Sequence, residues 1–138
     1  MQIERITSSG QLVPLLFTQG AVAASQTDVQ LGVADGVADV VGHTMPFAGE
    51  IVAISADLDT AATAGSLTVG PTIGGTEQAT LTKTLTTGTA TRGFVARDTL
   101  KFAAGSIIGA EITSDASWNA ITADLAVIVW VLLNVEGI

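Results

Sequence analysis

"LAVIVWVLL", Leu125 to Leu133, runs for nine apolar residues without a polar interruption. As a helix it would rise about 14 Å, under half of a hydrocarbon core of about 30 Å, and no second apolar stretch extends it. A membrane helix is therefore excluded. A membrane β-barrel needs many lipid-facing strands and aromatic girdles, whereas this chain has no Tyr and two Trp. Val127, Ile128, Val129 and Val131 are β-branched and Trp130 is aromatic, so the run predicts a strand. In that strand Leu125, Val127, Val129, Val131 and Leu133 face one way; Ala126, Ile128, Trp130 and Leu132 face the other. A sandwich strand normally turns one face to the core and one to water. Here both are apolar. One face belongs to the chain's own core, and the second needs a cover: the N-terminal segment or, as the preferred expectation, a neighbouring subunit anchored by Trp130 or by its opposite-face neighbours.

The rest of the chain reads as further strands. "MPFAGEIVAISADLD" opens on a turn and then sets Val52, Ile54, Ala56 and Leu58 on one face. "GSLTVGPTIGG" gives a short strand with Leu67 and Val69 on one face, ended by Gly70-Pro71. "ATLTKTLTTGT" alternates Leu81, Lys83 and Leu85 against threonines suited to a solvated face. "RGFVARDTLKF" carries a strand around Phe94 and Val95, and "AAGSIIGAEITSD" places Ile108, Ala110 and Ile112 inward. Phe47–Ser55 and Phe102–Thr113 echo one another as turn-to-strand corners, which suits a two-sheet sandwich.

Residues 1–30 show no sustained helical period. They hold one apolar cluster, Leu12-Val13 and Leu15-Leu16-Phe17, interrupted by Pro14. Such a patch on a loose end needs covering, so residues 1–30 are expected to form an extended arm against a neighbouring subunit. Residues 31–138 are expected to form the β-sandwich. "LVPLLFTQGAVAAS" lacks the positive start and continuous apolar run of a signal peptide, and is expected to stay in the mature protein. The interface candidates are Leu12, Leu15, Leu16, Phe17, Val127, Val129, Trp130 and Val131.

Composition bounds the function. The 138 residues carry 5 Lys plus Arg against 13 Asp plus Glu, a formal net charge of -8. Phosphate backbones and anionic lipid surfaces are bound by clustered Lys and Arg, so neither nucleic acid nor a membrane is an expected partner. With no cysteine, thiol chemistry is excluded. His43 has no nearby residue to orient it as a base. The acidic pairs Asp57/Asp59 and Asp35/Asp39 fall short of the six to eight oxygens of a calcium site. No nucleophile elbow, phosphate loop or zinc motif is present. The expectation is a non-enzyme without cofactor or metal. Charged residues are only 13% of the chain, a low share for a surface left bare in water. Trp118, in the polar stretch "SDASWNAI", is the one candidate for stacking on a sugar.

"MPFAGEIVAIS", "GSLTVGPTIGG", "KFAAGSIIGAEI" and "DLAVIVWVLL" together resemble the jelly-roll head decoration proteins of tailed phages and related tail or fibre domains. The resemblance covers roughly residues 40–133 and leaves the N-terminal arm unmatched. It implies an antiparallel jelly-roll β-sandwich and a cement protein, often trimeric, that binds the major capsid protein on the virion surface and resists internal pressure. It implies no catalytic residue. A receptor- or glycan-binding head or fibre domain is the alternative, because jelly rolls host both roles.

Overall fold

A computed structural model describes residues 10–33 and 42–135. The chain is all-β, with two antiparallel sheets packed as a sandwich. Its strands are β1 (Gln11–Gln19), β2 (Val29–Gln30), β3 (His43–Thr44), β4 (Gly49–Ala62), β5 (Leu67–Ile73), β6 (Thr76–Glu77), β7 (Lys83–Leu85), β8 (Gly88–Phe94), β9 (Leu100–Phe102), β10 (Ile107–Ser114) and β11 (Leu125–Leu133). Sheet A has the order β1-β11-β4-β8, with β9 also on β4. Sheet B has the order β2-β10-β5-β6, with β3 also on β10 and β7 also on β5. The short strands that share a partner form one position each. The eight positions then follow two interleaved Greek keys across the two sheets, the jelly-roll arrangement. Among the described residues no helix is long and apolar enough to cross a membrane.

β11 lies between β1 and β4, and its period of two divides it as its residue types require. Leu125, Val127, Val129, Val131 and Leu133 are buried, while the alternate residues are half-buried. The buried row meets Ile108, Ala110 and Ile112 of β10 and Leu67 and Val69 of β5 in one continuous core. Two sheets some 10 Å apart leave room for one layer of interdigitated side chains.

Four expectations change. The segment read as an arm does not reach away over Gln11–Gln19: it pairs with β11 of its own chain along all nine residues. β11 has two backbone edges to satisfy; β4 takes one and β1 the other. Pro14 is tolerated because β1 is an edge strand, where a missing N–H costs little.

In β4, Ile51 rather than Val52 faces the core, because the register with β11 slips between Trp130 and Val131. Val52 is the extra residue of that bulge, and the bulge reverses the facing of everything before it. β5 does not stop at Gly70-Pro71 but runs on to Ile73. Pro71 has no N–H to donate, and its carbonyl accepts from Gln78 N (2.8 Å) where the ladder on that edge is interrupted. That interruption also breaks the alternation expected at Leu81–Leu85. Ala79–Leu81 forms a 3₁₀ turn that buries Leu81, and only Lys83–Leu85 is strand.

Candidate functional site

The register of sheet A divides the interface candidates into two sets. Leu15 and Phe17 stand opposite Val129 and Val127, and all four, with Val131, turn into the chain's own core. Leu12, Pro14 and Leu16 stand opposite Leu132, Trp130 and Ile128 and turn outward. Across β4 the same outer face continues through Ala53 and Ser55 to Phe94 and Arg92 of β8. The result is an apolar platform that lies across four strands and is rigid because it is sheet.

Among the described residues four large hydrophobics are strongly exposed: Leu12, Leu16, Phe94 and Ile121. Three of them lie on this platform, so the exposure is concentrated rather than scattered. Phe94 is the extreme, at 83%. Charged groups mark the margins. At one end Glu50 is buried, accepting from Arg97 Nε and from Asp98 N, both at 3.0 Å. Between Phe94 and Trp130 a shallow depression is lined by Ala53, Ser55, Lys83 and Arg92. Gly93 matters here: a β-carbon on it would run into the Lys83 side chain, which lies across the strand at that point. The platform has shape and apolar area but no nucleophile paired with a base.

The other residues singled out from the sequence fall elsewhere. Trp118 is 2% exposed, and its indole N–H donates to Val22 O (3.1 Å). It closes one end of the sandwich and presents no ring face to a sugar. A buried indole with its N–H satisfied is what the polar loop around it accommodates. His43 is half-buried with its ring 5.3 Å from that of Phe17. Asp57 and Asp59 are exposed, and Asp59 Oδ1 accepts from Asp124 N (2.9 Å). Asp35 and Asp39 lie outside the described residues.

One group was not singled out from the sequence. On the outer face of sheet B, the carboxylates of Asp28, Glu77 and Glu111 offer oxygens that all lie within 4.8 Å of one another. Asp28 stands just before β2, Glu77 on β6 and Glu111 on β10, far apart in the chain, so no local motif announces them. The available signal was Glu111 itself, a charge between Ala110 and Ile112 in an otherwise apolar strand. Burial foremost, then the charge and hydrogen bond of Glu77 and the charge of Asp28, push the Glu111 carboxyl up from its ordinary value of 4.5 to about 7, with the Gln30 amide acting in the opposite sense.

The sign of the pH dependence follows. Below its ordinary value Glu111 is neutral in both folded and unfolded chains. As pH rises, the unfolded chain ionises first and the folded chain holds its proton, so stability is lost until pH passes about 7. In chelator, thermal melts across this window should fall by several degrees, and Glu111→Gln should flatten the curve. A melting temperature that rises over the same window contradicts the burial argument.

No family model matches the sequence, and no curated protein matches it.

Proposed function

We propose that this chain is a structural protein of a virion, a decoration or cement protein that binds the major capsid protein on the outside of a tailed-phage capsid and stabilises the shell. It acts as a homotrimer whose subunits cover the outer face of sheet A. The observation that carries this reading is the concentration of exposed apolar side chains on that one face, around Leu12, Leu16 and Phe94. A second copy is the occupant in this reading, because two such apolar faces can meet with little of the repulsion that a net charge of -8 sets up between like chains. Covering a half-exposed Leu or Phe contributes of order 1 kcal/mol. A handful of such contacts, repeated by symmetry, sustains an oligomer and then a multivalent attachment to the shell.

Light scattering on the purified chain should give a multiple of the monomer mass, and the protein should co-sediment with capsids stripped of their decoration protein. Leu12→Glu combined with Leu16→Glu should give a folded monomer, since both side chains point away from the core. Three effects should appear together: loss of the oligomer, loss of co-sedimentation, and a melting temperature within a few degrees of the dissociated wild type. A wild-type chain that is monomeric and does not sediment with capsids overturns the reading.

The alternative, a receptor- or glycan-binding domain, is favoured by one observation: Phe94 and Trp130 flank a depression that also carries Arg92 and Lys83. Glycan binding abolished by Phe94→Ala would put that function first.

A further inference from the structure

We infer that Asp28, Glu77 and Glu111, with the Gln30 side-chain oxygen and the Thr72 hydroxyl, form a binding site for a hard divalent cation of the calcium class on the outer face of sheet B. This inference is independent of the platform on sheet A and of what covers it.

The strand register brings these groups together. Glu111 on β10 stands between Gln30 on β2 and Gly70 on β5, and Glu77 on β6 stands opposite Thr72 on β5. Cross-strand partners project from the same face, and alternate residues along β5 share a face as well. Gln30, Glu111, Thr72 and Glu77 therefore rise on one side of the sheet. Asp28 joins them beside Thr113, from which its Oδ1 accepts a hydrogen bond (3.3 Å). Gly70 is the floor. A β-carbon there would stand 2.6 Å from Glu77 Oε1 and 2.8 Å from Thr82 Oγ1. The missing side chain thus lets the Glu77 carboxylate lean across β5 toward Glu111.

Three like charges drawn together by folding need a reason. Neither of the two ion pairs among the described residues reaches them. Two buried atoms beside them also lack partners. Thr72 is wholly buried, yet its Oγ1 has no hydrogen bond. It is hemmed by Gly109 on one side and by Glu77 on the other, on the same face as the carboxylates. Gln30 donates from Nε2 to Glu111 Oε2 (2.8 Å), while its Oε1 is buried and unpartnered. Leaving a buried polar atom unpaired is costly, and a bound cation satisfies oxygens of both kinds.

The donor set selects the class of ion. Every donor is oxygen, which suits a hard cation rather than zinc or copper. Carboxylate oxygens within 4.8 Å of one another can share one ion at the calcium–oxygen distance of about 2.3–2.6 Å. Three carboxylates, an amide oxygen and a hydroxyl give five protein donors without any bidentate contact, and water or a second carboxylate oxygen can complete the six to eight of calcium. Magnesium demands a smaller and nearly octahedral shell, which donors fixed on four strands of a sheet provide less readily. In the absence of an ion, the raised affinity of Glu111 for a proton serves the same neutralising end.

The test is calorimetric titration of calcium chloride, and in parallel magnesium chloride, into the chelator-treated full chain near pH 7.5. The expected result is saturable binding of one calcium per chain, with a dissociation constant of about 10⁻⁵–10⁻³ M and weaker magnesium binding. Calcium should also raise the melting temperature. Glu111→Gln and Glu77→Gln should each weaken calcium at least roughly tenfold, and melts in chelator establish that both variants fold. Thr72→Val keeps the shape and removes the hydroxyl. It should raise the melting temperature of the ion-free protein and weaken calcium binding several-fold.

Absence of heat and of any thermal shift with calcium overturns the site and leaves a proton-sharing carboxyl pair only. Magnesium binding as tightly as calcium overturns the assignment of ion class. Unchanged affinity in Thr72→Val removes that hydroxyl from the donor set.

Discussion

Replacing Phe17 by alanine is expected to destabilise the protein by about 3–5 kcal/mol, the usual cost of emptying a buried aromatic site. Phe17 is fully buried, stands opposite Val127 in the register of β1 with β11, and tilts against the His43 ring at 5.3 Å. It ties an edge strand to the core, so the cavity cannot close without moving β1 or β3. For a domain of this size the loss corresponds to a fall in melting temperature of roughly 10 °C or more.

Leu16→Ala is the control. One residue away, Leu16 points outward and is 53% exposed, so in the dissociated chain its truncation should cost under about 1 kcal/mol. Chemical denaturation of both variants separates the two faces of β1. Similar costs for Phe17→Ala and Leu16→Ala would mean that the strand does not have the facing described. The same geometry bears on truncation. Removing residues 1–20 takes away β1 and Phe17 together, so loss of attachment in such a truncate reports unfolding rather than a missing arm.

β11 was legible because its meaning is local: nine apolar residues, too short for a bilayer and rich in β-branched types, fit one element. The inward set of β10 was legible for the same reason. Val52 was not, because a bulge is set by how Trp130 and Val131 pair across the sheet, and β4 alone carries no mark of the slip. Leu81 kept its burial but lost its strand, since the outlet for Pro71's missing donor lies on a different segment.

Half of the apolar cluster at Leu12–Phe17 is covered by its own chain, which the cluster's sequence does not show, because the covering strand β11 lies more than a hundred residues away. The platform on sheet A was visible only as a second apolar face of β11; Phe94 joined it through the pairing of β8 with β4. The carboxylates of sheet B were invisible for a plainer reason. Asp28 just before β2, Glu77 on β6 and Glu111 on β10 are set side by side only by the jelly-roll order.

Gly65→Ala is expected to cost about 3 kcal/mol or more, and Gly74→Ala shows why. Both glycines adopt the left-handed region, with φ of 78° and 61°. That conformation alone costs an alanine about 1–2 kcal/mol. At Gly74 a β-carbon meets nothing within 4 Å, so the backbone term is the whole cost. At Gly65 the same carbon would collide with the backbone of Ser117 and Trp118.

That backbone cannot retreat, because the two loops are stitched together on both sides of the contact. Asn119 Oδ1 accepts from Thr63 N (3.1 Å) and Ala64 N (3.2 Å), and Ser66 Oγ donates to Asp115 Oδ2 (3.0 Å). Beyond them the Trp118 indole is held by Val22 O inside the core. A shift large enough to admit the methyl must break these bonds or lift Trp118 out of the sandwich end. Denaturation curves should therefore separate Gly65→Ala from Gly74→Ala by about 2 kcal/mol, and near-ultraviolet circular dichroism of Gly65→Ala should report a changed tryptophan environment. Equal costs at the two sites would mean that the 115–119 loop yields freely, and that Trp118 does not close the sandwich as described.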